Sequence, residues 1–136
     1  MFVNLRAFPQ FSPLVLRVFL GITFIVHGAL KFMAMAGTVQ FFTHIGIPLP
    51  GVAVPLIALL EVVGGLALIL GIGTQIVSIL LAIDMLVAAV LVKGSAGFVG
   101  GYEFELSLLV ALVALVLSGP GAWALTGRKA LKGAQA

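Results

Sequence analysis

The chain of 136 residues contains no cysteine and few charged residues. Without cysteine it cannot form a disulfide, a thiolate nucleophile, a zinc site with cysteine ligands or a cysteine-ligated iron–sulfur cluster. Charged residues make up only 8% of the chain and hydrophobic residues 62%, whereas soluble domains carry about a quarter charged residues. This composition excludes a disordered chain, a collagen-like fibre and an ordinary soluble enzyme, and it indicates an integral membrane protein.

Four apolar runs predict four membrane-spanning helices, at about residues 13–32, 51–70, 75–92 and 102–118. An α-helix pairs its own backbone N–H and C=O groups by hydrogen bonds, as the absence of water in lipid requires. We therefore expect an all-α membrane protein, an antiparallel bundle of four transmembrane helices. The whole chain, 1–136, is then a single domain. The very short connection at 71–74 predicts a tight hairpin, and the apolar segment 33–50 predicts a short amphipathic helix in the membrane interface.

The net charge of +3 comes from only seven basic residues. Most of them lie near span ends, which indicates membrane topology and a lipid bilayer as partner rather than nucleic acid. With the N-terminus inside, five basic residues lie on the inner side and only Lys31 and Lys93 on the outer side. The inner residues are Arg6, Arg17, Arg128, Lys129 and Lys132. This distribution predicts that both termini are cytoplasmic.

Several ionisable residues lie inside the predicted spans, where a charge is costly and normally faces the interior of a bundle. The candidate ligand-binding residues are Arg17, His27, Lys31, Glu61, Asp84 and Glu105. Their depths predict a polar column, with Lys31 and His27 opposite Glu105 near the outer side, Glu61 and Asp84 in the middle, and Arg17 at the inner end. A column of this kind would bind a small polar ligand or conduct protons. The alternative is purely structural, namely buried ion pairs that fix the register of the helices.

Other kinds of site have weaker support. His27 and His44 do not form a facing helical pair that would bind haem, and no spacing among His27, Glu61 and Asp84 is typical of a metal site. We therefore predict no metal and no intrinsic cofactor, and the sequence assigns no catalytic residue.

Several motifs, in the same order along the chain, resemble the DoxX family of small four-helix membrane proteins. They are residues 17–32 (RVFLGITFIVHGALKF), 46–50 (GIPLP), 61–65 (EVVGG), Gly71, Glu105 and 119–121 (GPG). Residues 122–126 (AWALT) depart from the usual ending of the family. The resemblance implies a multi-pass protein of the bacterial inner membrane in a quinone-linked or oxidative-stress redox system. Similar proteins include the small subunit of a thiosulfate:quinone oxidoreductase.

The residues and the resemblance together favour a redox-associated membrane subunit that binds a quinone-like molecule. His27, Lys31, Glu61 and Glu105 would contact the polar groups of that molecule, with Phe19, Phe24 and Phe32 around it. A soluble oxidoreductase partner would then have to bring the electron carrier. Two alternatives remain open: a non-catalytic anchor or assembly factor for such a partner, and a small proton-coupled transporter that would need a homodimer to enclose a path.

Overall fold

A computed structural model describes residues 8–126, which form five α-helices and no β-strand. The helices are α1 (Phe11–Met33), α2 (Met35–His44), α3 (Pro50–Leu70), α4 (Thr74–Val87) and α5 (Glu103–Ser118). Helices α1 and α3 are long and apolar enough to cross a membrane, as are α4 extended to Val92 and α5 extended back to Phe98. The predicted all-α architecture with four membrane-spanning helices is confirmed. Helix α2 lies within the segment that was predicted to form a short helix.

Two helix boundaries differ from the predicted ones by more than one residue, each for a local reason. Helix α1 begins at Phe11 rather than at 13, so Pro13 lies in the first turn, where the missing N–H of proline costs no hydrogen bond. Helix α4 ends at Val87, and Ala88–Val92 continue it as a wider π-helical turn. The Lys93 N–H closes this turn on the Ala88 carbonyl at 3.0 Å.

Helices α1 and α3 run antiparallel and pack backbone against backbone. A Cβ atom on Gly65 would lie 2.6 Å from the Gly21 carbonyl oxygen, and one on Gly28 would lie 2.8 Å from the Ala58 carbonyl oxygen. Only glycine permits so close an approach, which is a common way for membrane helices to associate. The close packing also fixes the rotation of α1, and therefore the direction of its polar side chains.

Buried side chains from α1, α3, α4 and α5 meet along the axis of the bundle. The central cluster consists of Leu20, Phe24, Leu68, Leu81, Met85, Leu108, Leu112 and Leu115. Large apolar residues also cover the outside, where Val15 is 66% exposed and Leu117 is 82% exposed. An apolar exterior of this extent is suited to contact with lipid tails rather than water.

The chain beyond α5 folds back against the start of α1 and the turn between α3 and α4. The Ala122 N–H donates to the Gln10 carbonyl at 2.8 Å, and the Leu125 N–H donates to the Leu70 carbonyl at 3.2 Å. We call this end, formed by residues 8–17, 68–74 and 119–126, the base of the bundle. Residues 8 and 126 therefore lie at the same end. The predicted cytoplasmic side rests partly on Arg6, Arg128, Lys129 and Lys132, which lie outside the described residues.

Candidate functional site

A cavity of about 400 Å³ lies at the end of the bundle opposite the base. Its size falls within the range of about 300–1,000 Å³ that is typical of small-molecule sites. All five helices contribute to its wall, and α2 closes part of it with Thr38, Phe41 and Phe42. Phe24 and Phe104 add two more aromatic rings from α1 and α5. The cavity is therefore mainly aromatic and aliphatic, with its charged groups on α1, α3, α4 and α5.

The most buried charge on the cavity belongs to Glu61, which is 2% exposed and forms an ion pair with Lys31. Lys31 Nζ donates to both carboxylate oxygens, at 3.0 Å to Oε1 and 2.8 Å to Oε2. The close contact of α1 with α3 brings the two side chains together, since a Cβ on Gly28 would lie 3.0 Å from Glu61 Cβ. The Lys31 side chain is 24% exposed, so one side of the pair is open to small molecules.

Two further carboxylates reach the cavity from α4 and α5. Glu105 is 8% exposed, and its Oε1 lies 3.6 Å from Lys93 Nζ. Asp84 lies close enough to Glu61 and Lys31 for both to act on it electrostatically. Among residues 8–126, neither Asp84 Oδ2 nor Glu105 Oε2 has a hydrogen-bond partner, although both atoms are buried. Two of the residues that line the cavity thus each hold a buried carboxylate oxygen without a partner among the described residues.

His27 lies at the exposed edge of the cavity, and its ring packs against Phe104 with ring centroids 5.4 Å apart. The imidazole carries a donor or an acceptor on each nitrogen, so it can contact a polar group of a ligand that enters from this edge. No group of three potential metal ligands converges anywhere in residues 8–126.

Arg17 is not part of this cavity, which corrects its predicted place in a continuous polar column. It is fully buried at the base, where its guanidinium donates to the carbonyls of Leu68 and Ala122. A helix leaves its last carbonyls without partners, so Arg17 serves as a side-chain cap for the end of α3. The predicted column failed because a long side chain at this position reaches backbone carbonyls before it reaches another charge.

The structure brings the other five predicted residues onto one cavity wall: His27, Lys31, Glu61, Asp84 and Glu105. Their contact with a ligand stays a prediction. Glu105 Oε1 lies 3.6 Å from Lys93 Nζ, and Lys93 is a cavity residue that was not among the predicted ones. The sequence could have predicted Lys93 as a site residue, because a lysine at the end of the third span must contact an acidic partner or water.

The aromatic wall also differs from the predicted one. Phe24 lines the cavity, whereas Phe19 and Phe32 are 64% and 44% exposed on the outside of the bundle. Phe41, Phe42 and Phe104 take their place. Two of these lie on α2, in the segment that the sequence pattern predicts only to lie in the membrane interface.

Comparison with known proteins agrees with this architecture. Residues 12–94 match the DoxX family, and this range covers α1 from its second residue to the end of α4, and thus most of the cavity wall. The chain belongs to the DoxX family. The matched region carries His27, Lys31, Glu61 and Asp84, whereas Glu105 lies beyond it.

Relatives of this DoxX-family chain carry names that describe them as membrane proteins or, in one case, as a "putative oxidoreductase". It is 42% identical over 110 residues, 81% of each chain, to a Bacillus subtilis protein named "Putative oxidoreductase CatD". It is 35% identical to the membrane protein Rv3486 of Mycobacterium tuberculosis, over 86% of this chain and 80% of the relative. It is 34% identical to the Escherichia coli inner membrane protein YqjF, over 82% and 87% of the two chains. No solved structure matches it significantly. The relatives and the four apolar helices together identify a multi-pass membrane protein.

Proposed function

We propose that this chain is a membrane subunit of a redox system and that its cavity binds a quinone-like small molecule. The observation that carries the proposal is the ion pair between the partly exposed Lys31 and the buried Glu61 in the wall of an aromatic cavity inside a membrane bundle. An apolar cavity with a few convergent polar groups is the usual form of a small-molecule site. A molecule that partitions into lipid can reach such a site.

The chemistry of the wall fits a quinone head group. Phe24, Phe41, Phe42 and Phe104 offer aromatic surface for a flat ring. Lys31 uses two of its three N–H groups on Glu61, so a third remains for a ligand carbonyl. The carboxyl groups are the side chains that would exchange protons with the ligand.

Electrons would have to come from elsewhere. The chain contains no cysteine, so it has no thiol pair that could cycle between reduced and oxidised states. We propose that a partner protein with an electron carrier docks on the chain. The name of one relative, "Putative oxidoreductase CatD", and that of the inner membrane protein YqjF support a redox system in a bacterial inner membrane.

Direct binding tests the proposal. We expect the full chain in lipid nanodiscs to bind duroquinone saturably in equilibrium dialysis. The substitution Glu61→Gln should weaken binding at least about tenfold, because Lys31 loses the carboxylate that orients it.

The matched control is Glu103→Gln, which makes the same chemical change outside the cavity. Glu103 Oε1 accepts a hydrogen bond from the Gly100 N–H at 3.0 Å and does not line the cavity. This variant should retain the affinity of the unsubstituted chain. The absence of saturable binding by the unsubstituted chain, or full affinity in a folded Glu61→Gln variant, would overturn the proposal.

A further inference from the structure

Two lysines line the cavity within residues 8–126, and they differ in how firmly their ammonium groups are held. Lys31 Nζ donates to both oxygens of Glu61. Lys93 Nζ lies 3.6 Å from Glu105 Oε1, beyond the distance of about 3.2 Å that an ordinary N–H···O hydrogen bond reaches. The Lys93 side chain is also 44% exposed, against 24% for Lys31. The N–H donors of Lys93 are therefore available to a molecule in the cavity.

The π-helical turn at the end of α4 sets the direction of Lys93. Ala88, which begins this turn, also lines the cavity. In a regular α-helix, residue 93 would point about 140° away from residue 88. The π turn holds one residue more and closes on the hydrogen bond from the Lys93 N–H to the Ala88 carbonyl at 3.0 Å. It thus brings Lys93 round towards the cavity, and such turns are frequent at functional sites.

The two lysines come from diagonally opposite corners of the bundle. Lys31 lies on α1, and Lys93 directly follows the π turn that extends α4. Helix α1 packs on α3 and α5, whereas all its Cα atoms lie more than 8 Å from those of α4 and of the π turn. The lysine side chains therefore enter the cavity from different walls, and a ligand between these walls has a lysine on either side.

We infer that Lys93 donates to one carbonyl of a bound quinone while Lys31 donates to the other, so that the cavity selects para-quinones. The inference rests on the proposed function and adds a second binding residue and the class of quinone. The two carbonyls of a para-quinone point in opposite directions from one ring, as lysines on opposite walls require. The two carbonyls of an ortho-quinone share one edge of the ring and can face only one of the lysines.

The infrared spectrum of the bound quinone tests the two contacts separately. The full chain in nanodiscs is loaded with duroquinone that is isotope-labelled at both carbonyl carbons. A hydrogen bond lowers the stretching frequency of a carbonyl, so both carbonyl bands of the bound molecule should lie below that of duroquinone in lipid alone. A band that stays at the frequency of the free molecule would overturn the inference without any substitution.

Substitutions of Lys93 assign one band to this residue. Lys93→Met should return one carbonyl band to the frequency of free duroquinone. It should also weaken binding about tenfold, since one charge-assisted hydrogen bond is lost. Lys93→Arg keeps a cationic donor and should keep both bands shifted. The control is Ser95→Ala, because Ser95 is exposed and does not line the cavity, and this variant should leave the bands and the affinity unchanged.

The ortho isomer of duroquinone tests the selection between classes of quinone. It should bind about tenfold less tightly than duroquinone, because one charge-assisted hydrogen bond cannot form. Equal affinities of the two isomers would contradict the inference.

The outcomes distinguish this inference from the proposed function. If duroquinone binds saturably and Lys93→Met leaves both bands shifted, the inference is wrong and the quinone site remains. A loss of affinity in Lys93→Met with both bands still shifted would also overturn it, because Lys93 would then act only on the structure. Failure of duroquinone to bind the unsubstituted chain would overturn the proposed function, and the inference with it.

Discussion

Arg17 and Lys31 lie on the same helix, about 21 Å apart along its axis, yet their surroundings differ in kind. Arg17 is fully buried at the base and donates to backbone carbonyls of two other segments. Lys31 is partly exposed and shares an aromatic cavity with three carboxylates. One cation is thus surrounded by fixed main-chain dipoles, the other by side chains that can move and exchange protons.

A cation inside a membrane bundle can stabilise the fold, as Arg17 does at the base, or contribute to ligand binding, as we propose for Lys31. A main-chain carbonyl does not titrate, and that of Leu68 cannot change its position without disturbing the end of α3, so this contact of Arg17 belongs to the fold itself. The ion pairs of the cavity, in contrast, join two side chains, and each of these can change its rotamer and its partner. Stability should therefore depend mainly on the base, and ligand binding mainly on the cavity.

The largest effect on stability is expected from Arg17→Met. The substitution leaves the carbonyls of Leu68 and Ala122 without their buried donor and should lower the free energy of unfolding by about 3 kcal/mol. Denaturation in mixed micelles measures this loss. The folded fraction should bind duroquinone with unchanged affinity, because Arg17 does not line the cavity.

The control for this prediction is Arg17→Lys, which keeps the charge but loses the planar fork of donors. It should retain part of the stability. An unfolding free energy for Arg17→Met equal to that of the unsubstituted chain would show that the base does not depend on this side chain.

A smaller effect is expected from Lys31→Met, which leaves Glu61 buried without its partner. We expect a loss of about 2 kcal/mol, below the usual cost of a broken buried pair because Lys31 is partly exposed. The double substitution Lys31→Met with Glu61→Gln should cost less than the single one, since no unpaired charge remains. If the double variant is less stable than the single one, Glu61 must have another stabilising contact.

The smallest effect is expected from Asp84→Asn. Because Asp84 Oδ2 has no hydrogen-bond partner among residues 8–126, the isosteric amide breaks no hydrogen bond of that atom and should change the unfolding free energy by less than about 0.5 kcal/mol. Ser78→Ala is the matched control within the core of α4, since the buried Ser78 Oγ also lacks a partner there. A loss above about 2 kcal/mol for Asp84→Asn would place Asp84 with Arg17 as a structural residue.

The sequence predicts the spans and the depth of the charges well, because length and hydropathy depend on the bilayer rather than on detailed packing. Depth alone places Lys31, Glu61 and Glu105 in the same part of the bundle. Hydropathy does not determine the rotation of each helix about its axis, and here the contact of Gly21 with Gly65 sets it for α1 and α3. The pairing of Glu105 with Lys93 depends on such rotations.

Two other features depend on the tertiary fold. The partners of Arg17 are main-chain oxygens, and an oxygen of this kind exists at every residue, so no sequence pattern marks the right ones. Phe41 and Phe42 lie on a short helix whose apolar side chains suit either lipid or protein. Their place on the cavity follows from how α2 packs on α3, and composition does not determine that packing.

The contact between Arg17 and Ala122 joins residues 105 positions apart, which has a consequence for biosynthesis. During synthesis Arg17 leaves the ribosome early, whereas Ala122 emerges only after all four spans have been made. Until then the guanidinium lacks one of its acceptors within the membrane. Insertion of the first span therefore precedes the completion of its own polar contacts, and the final segment closes the bundle as the last step of assembly.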